Sequence, residues 1–275
     1  MLRRIAVLLA LCASSISLFA VPPASPEEDY RRAMSLLLGN NQSLADRDDA
    51  LNLLRSAAGQ GFVLAQTALG SLYEATQDIQ QAIRWYAAAA EKNDWIAQFS
   101  LGRIYFKGTV VVRDVRSAKK WLALAAASGD GGSAFYLGLL NDEGQGTATN
   151  YAEAVKWYRQ SAEAGNPFAQ EKLAVLLLKG LGGEHNPQEA YVWLLVASDL
   201  GNHRAEQRLQ FMEGDIGRNG TEAARRQALD VRDRVLSSVQ HACGSWQDQY
   251  SDMPAPPPLA SQVTCETTTS KDAAN

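Results

Sequence analysis

Few side chains in this 275-residue chain are suited to chemistry: three histidines, three cysteines and two short glycine-rich runs. His185 follows Glu184, and an imidazole beside a carboxylate is the beginning of a general-base pair. A nucleophile within hydrogen-bonding reach would have to complete it. His203 and His241 stand apart, with no Ser, Cys or Asp at a spacing that marks such a set. Residues 143–146 (EGQG) and 180–183 (GLGG) have the glycines of a phosphate cradle but lack the Lys-Ser/Thr that a P-loop needs. Cys243, Cys265 and His241 lack metal-ligand spacing and a fourth ligand. No catalytic constellation, no metal site and no cofactor is expected.

The cysteines point elsewhere. The first twenty residues, MLRRIAVLLALCASSISLFA, carry Arg3 and Arg4, an apolar run and then a small residue at Ala20. That is the layout of a secretory leader cleaved after Ala20, which places the mature chain in the periplasm or outside the cell. Ser14, Ser15 and Ser17 interrupt the run, which argues against a spanning helix, and Leu11 is a poor residue before a lipid-modified Cys12. In an exported chain the remaining pair, Cys243 and Cys265, is expected to form a disulfide, disfavouring the unfolded state by about 3 kcal/mol. The formal charge is −4, and removal of Arg3 and Arg4 makes it more negative by two. Such a chain has no electrostatic reason to bind nucleic acid or an anionic membrane, and no membrane insertion is expected after leader removal. Arg113, Arg116, Lys119 and Lys120 read as a solvated helix face.

Any binding residues must be positioned by a repeat. Ala50, Ala82, Ala118, Ala154 and Ala190 recur with Leu53-Leu54, Trp85-Tyr86, Trp121-Leu122, Trp157-Tyr158 and Trp193-Leu194 at fixed offsets after them. The same register holds for Gly61, Asn93, Gly129, Gly165 and Gly201, for Ala65, Ala97, Ser133, Ala169 and Ala205, and for Leu69, Leu101, Leu137, Leu173 and Leu209. Ala82, Trp85, Tyr86 and Ala89 lie at i, i+3, i+4 and i+7, the apolar face of a helix. Four residues before each Ala stands an Asp or Asn (Asp46, Asp78, Asp114, Asn150, Asn186), read as an N-cap. Asp94, Asp130, Asn166 and Asn202 are expected to cap the alternate helices, and the Gly or Asn before them to end the preceding ones. Each unit is thus two helices, and no unit can bury its apolar face alone, so the units must stack.

The stretches AQTALGSLY (65–73), AQFSLGRIYFKG (97–108) and AEAVKWYRQSAEAGNPFAQ (152–170) resemble the Sel-1-like repeat family, relatives of the tetratricopeptide repeat. The resemblance runs from about residue 62 to 210, with a degenerate unit from about residue 30. It implies an all-α fold, a right-handed α-solenoid of about five helix-turn-helix units. The expected organisation is a leader (1–20), a short linker (21–28), the repeats (29–214), a C-terminal capping helix (215–242) opened by Thr221 with Ala224, Leu229, Val231 and Val235 on it, and a tail (243–275).

The resemblance also implies an adaptor that binds a protein or peptide, including the periplasmic part of a membrane protein such as a sensor kinase. Some exported members of the family are connected with penicillin binding or beta-lactam hydrolysis. Those are cysteine-rich, whereas residues 13–242 here contain no Cys, so the chain is not expected to be an enzyme; a structural envelope scaffold is a third alternative. Counting from the fixed Leu, residues two before it (Thr67, Phe99, Phe135, Glu171, Gln207) and two after it (Ser71, Arg103, Leu139, Val175, Phe211) are placed on the first helices of the pairs. Phe99, Arg103, Phe106, Phe135, Leu139 and Glu171 are the candidate groove residues. The alternative is that these aromatics pack between neighbouring repeats.

Overall fold

The computed structural model describes residues 25–39, 43–144 and 148–249, the side chains of 213–221 and 239–249 excepted. The leader and Cys265 lie outside the described residues, as do the side chains of His241 and Cys243. The described residues form eleven α-helices and no strand. None of these helices is long and apolar enough to cross a membrane. The chain divides into two compact bodies, residues 1–62 and 63–275.

The first body holds α1 (Pro26–Leu38) and α2 (Leu44–Gly59). The α2 cap differs from the sequence expectation. Ser43, not Asp46, is the N-cap: the Asp46 amide donates to Ser43 Oγ (3.1 Å) while the Ser43 amide donates to Asp46 Oδ2 (2.9 Å). This reciprocal box satisfies two end donors and moves the helix start three residues earlier. Tyr30, Met34 and Leu54 are fully buried, and Ser56 donates to Asp29 across the pair at 2.8 Å.

The second body alternates first helices α3 (Val63–Ala75), α5 (Trp95–Lys107), α7 (Gly131–Asp142) and α9 (Pro167–Lys179) with second helices α4 (Ile79–Ala90), α6 (Val115–Ala127), α8 (Tyr151–Glu163) and α10 (Pro187–Asp199). It ends in α11 (His203–Gln249). The remaining caps stand where expected, with Asp78, Asp94, Asp114, Asp130, Asn150, Asn166 and Asn186 each accepting from first-turn amides. Asn202 does the same for α11. Asn93 (φ 65°) takes the left-handed conformation that Gly61, Gly129, Gly165 and Gly201 take in the other units, which ends each second helix. The short connection before α4 leaves the stack unchanged because the closing bond is constant. The cap amide of Asp78, Asp114, Asn150 and Asn186 donates to the carbonyl of Tyr73, Tyr105, Asn141 and Leu177, at 2.8–3.1 Å. Those acceptors lie four residues after the fixed Leu in every pair, so the longer loops simply bulge outside the bond.

The fixed small residues are where the helices meet: Ala65, Ala97, Ser133, Ala169 and Ala205 are all fully buried, as are Ala82, Ala118, Ala154 and Ala190. A further repeat element is the glycine after the fixed Leu. A Cβ at Gly70 would stand 2.5 Å from the Tyr86 ring, and one at Gly138 2.4 Å from Tyr158. The glycine lets the second helix press its large side chain onto the first. Buried glutamines finish the helix ends. Gln98 and Gln170 donate to the carbonyls of Ala90 and Ala162, and where Ala134 takes the glutamine's place, Gln160 of the next unit reaches the Ala126 carbonyl instead (2.9 Å). Each bond satisfies an acceptor that a helix C-terminus otherwise leaves open.

The C-terminal segment differs from expectation in form. α11 is one helical element in which Thr221 opens nothing, and Leu229 is exposed rather than packed. Its path nevertheless folds back. A straight helix would carry Arg232 about 44 Å from His203, yet Arg232 lies 3.8 Å from Asp199, four residues before His203. Gly214, Gly217 and Gly220, which weaken a helix, lie in the sequence between these two points. Ala224, Ala228, Val231 and Val235 beyond it are buried in the core of the last pairs.

Candidate partner-binding site

The first helices α3, α5 and α7 meet one another as well as their own second helices, so their surface residues form one face. At its ends this face is stitched by charge. Glu74, at the end of α3, accepts from the Tyr86 hydroxyl (3.1 Å) and pairs with Arg103 of the next unit. Asp142 repeats the arrangement, accepting from Tyr158 (3.1 Å) with Lys172 at 3.7 Å. Burial, reinforced by the adjacent carboxylate, pushes the Tyr86 phenol up to about 12 and Tyr158 well above the ordinary tyrosine range. Both hydroxyls therefore stay protonated and donate. Glu171 is buried and takes Arg208 at 2.6 Å.

Between these clasps the equivalent residues are apolar. Phe106 replaces the acid and Leu122 the tyrosine. An aromatic cluster fills the space, with Tyr136 at its centre: ring centroids lie 5.0 Å from Phe106, 5.9 Å from Phe99 and 5.9 Å from Phe135. Burial raises the Tyr136 pKa. Arg113 lies over Phe106 (5.2 Å), Arg103 lies over Phe99 (6.0 Å), and Lys107 is exposed beside them. Cations on aromatic faces at this distance are attracted by the ring quadrupole.

The structure therefore brings Phe99, Arg103, Phe106 and Phe135 together, but not all at the surface. Phe99 is 5% exposed and belongs to the core with Leu122 and Leu137. The reason is local: Gly132 faces its ring, at 3.1 Å from where a Cβ would stand, so no side chain keeps Phe99 out. Phe106, Phe135, Tyr136 and Leu139 stay partly exposed. Leu139 and Phe135 pack on the core of the last pairs, where Glu171 also lies buried. Thr67 is buried against Asp94 (3.1 Å), while Gln207 and Phe211 are exposed. Tyr136 is the central residue that register counting misses, because its equivalents Ala68, Ser100 and Lys172 carry no aromatic signal.

The chemistry-bearing residues stay scattered. His185 donates from Nδ1 to the Leu178 carbonyl (2.8 Å), and His203 lies 3.6 Å from Glu206 on an open helix end. Among the described residues no group of three His, Cys, Asp or Glu could hold a metal ion.

The sequence model of the Sel1 repeat matches five consecutive segments, residues 28–62, 63–94, 95–130, 132–166 and 167–202. These cover more than half of the chain, which therefore belongs to the Sel1-repeat family. Among solved structures it is similar to c5321, a protective antigen of uropathogenic Escherichia coli with an SLR fold. That match has TM-score 0.66 and 25% identity, over 84% of this chain and 50% of that one. It is similar also to a Sel1 repeat protein from Oxalobacter formigenes (TM-score 0.62, 27% identity, 76% of this chain and 85% of that one). The Neisseria meningitidis serogroup B protein NMB1327 is 34% identical over 83 residues, which are 30% of this chain and 17% of that protein. The chain thus spans about half the length of c5321 and under a fifth of NMB1327. The all-α solenoid is the shared architecture, and Sel1 repeats generally mediate protein–protein interaction.

Proposed function

We propose that the protein is an exported adaptor whose first-helix face binds a peptide or exposed segment of a protein partner, including the periplasmic part of a membrane protein. The observation that carries this reading is the aromatic surface of Phe106, Phe135 and Tyr136, ringed by Arg103, Lys107 and Arg113. Partly exposed rings offer contact area at low entropic cost, and the Arg113 guanidinium can bind a carboxylate, Arg103 being paired with Glu74. The face suits a segment that presents an apolar anchor next to an acidic group. The leader of residues 1–20 supports export.

The test is capture from the native envelope by tagged mature protein, beside Phe106→Ala and Arg113→Glu variants. Circular dichroism must show that both variants remain folded. A partner held by wild type and released by both variants supports the reading. A partner held equally by all three moves the binding face elsewhere. Phe99→Glu is the wrong probe, because it would bury a charge and test stability instead.

A further inference from the structure

The second helices carry a pattern of their own. In three consecutive units a cation precedes the tryptophan and stacks over it: Arg84 on Trp85 (5.8 Å), Lys120 on Trp121 (4.4 Å), Lys156 on Trp157 (5.7 Å). All three indoles remain partly exposed. In the last unit Val192 replaces the cation, Trp193 is buried, and its Nε1 donates to Glu189 at 3.3 Å. The cover there is the chain itself.

The second half of α11 lies against α8 and α10. Val231 and Val235 face Val192 and Trp193 across a cleft of about 450 Å³ that Arg159, Glu163, Glu189 and Arg234 also line. Ser238 Oγ donates to the Glu163 carbonyl at 3.1 Å. The buried residues Ala224, Ala228, Val231 and Val235 form a stripe of small and β-branched side chains on one helix face.

One repeat earlier, 36 residues back, the positions that receive this helix are Ala123 and Ala127 on α6 and Glu153, Lys156 and Trp157 on α8. Ala123 and Ala127 are exposed. The α6–α8 cleft thus has the same backbone register, an alanine wall and an indole, but nothing described covers it. Its charges differ in a specific way. The counterpart of Glu163, which shares the filled cleft with Arg234, is Ala127. The counterpart of Glu189 is Glu153, already beside Lys156 at 4.0 Å. Lys120, with Arg116 and Lys119 on the same helix, adds positive charge, Asp114 standing beside Arg116.

We propose that the α6–α8 cleft is a docking site for an amphipathic helix of a partner protein, one that presents an Ala/Val stripe like that of residues 224–235 and acidic residues on its flanks. The chain's own segment shows the shape of helix such a cleft accepts. Its four arginines (Arg225, Arg226, Arg232, Arg234) outnumber its three acids by one. Arg234, which lines the filled cleft, would find Lys156 where Val192 stands, which disfavours a second copy as the occupant. This site is separate from the first-helix face and does not rest on it.

The probe is a fluorescent peptide of residues 222–240 carrying Arg225→Glu, Arg226→Glu, Arg232→Glu and Arg234→Glu, titrated with the full chain and followed by anisotropy. Saturable binding is expected, about tenfold weaker in Ala123→Glu and in Lys156→Glu, weaker in high salt, and unchanged in Phe106→Ala. The unsubstituted peptide is expected to bind at least about tenfold less well. Circular dichroism and the retained fold-back of α11, read by hydrogen exchange, establish that the variants are folded. Absence of saturation, binding indifferent to both cleft variants, or equal binding of the unsubstituted peptide would overturn the proposal. Loss of binding only in Phe106→Ala would assign the helix to the first-helix face instead.

Discussion

Two kinds of joint hold consecutive units together. At Tyr86 and Tyr158 a buried hydroxyl donates to a carboxylate, and that carboxylate pairs with a cation of the next unit. At Leu122 the same register position is apolar, its partner is Phe106, and aromatic packing around Tyr136 takes the place of the charge clasp. The residues change as matched sets: acid with tyrosine, phenylalanine with leucine, and Leu178 with Leu194 in the last pair. A mixed set would bury an unpaired hydroxyl or carboxylate, which costs more than either matched set. The clasped joints satisfy their charges internally. The apolar joint instead leaves rings and cations at the surface, which is why the candidate binding site falls there.

The strongest way to break a clasped joint is Gly138→Ala. Its new methyl meets the Tyr158 ring, and a loss of about 1–3 kcal/mol is expected in urea unfolding. Adding Tyr158→Leu relieves the clash but takes the hydroxyl donor from Asp142. Most of the loss should be restored only with Asp142→Leu as well, which copies the set Ala174, Leu194 and Leu178 found one unit later. Tyr158→Phe keeps the ring and removes only the donor, for an expected cost of about 1 kcal/mol.

Asp94 sharpens the comparison through pH. Burial holds its carboxyl above the ordinary value of 3.8 although it caps α5 and accepts from Thr67. The folded state therefore binds this proton more tightly than the unfolded state. The group's unfavourable contribution is complete above its folded pKa and disappears as pH falls toward 3.8. Asp94→Asn keeps the cap and removes the charge, so it should be at least as stable as wild type at pH 7, with the difference shrinking at acid pH. The smallest effect is expected for Gly102→Ala. Leu122 must shift, but helix propensity gains and Ala174 shows the pair can be accommodated, so unfolding should stay within about 0.5 kcal/mol of wild type.

Much of the fold was legible because its requirements are local. A left-handed turn residue at Gly61, Asn93 or Gly165 and a cap at Asp114 or Asn186 depend on the backbone within one turn. Asp46 was misplaced because Ser43 competes for the same role, and either residue type can cap. The site was legible only in part. Phe99 and Phe135 share a register position, yet the first is buried and the second partly exposed, because a glycine in the next unit faces only Phe99. Tyr136 and the fold-back of α11 depend on how separate helices meet, which no single-helix periodicity encodes.

The comparison is tested most directly by placing a photo-crosslinking amino acid at Phe106, at Tyr136 and at Ser71 in turn, then irradiating the protein in its native envelope. Ser71 lies on the same face but hydrogen-bonds Tyr86 at 3.1 Å within a clasped joint. A discrete crosslinked product from positions 106 and 136, and none from 71, is the expected result. Equal products from all three positions, or a product from 71 alone, would contradict the assignment of binding to the apolar joint.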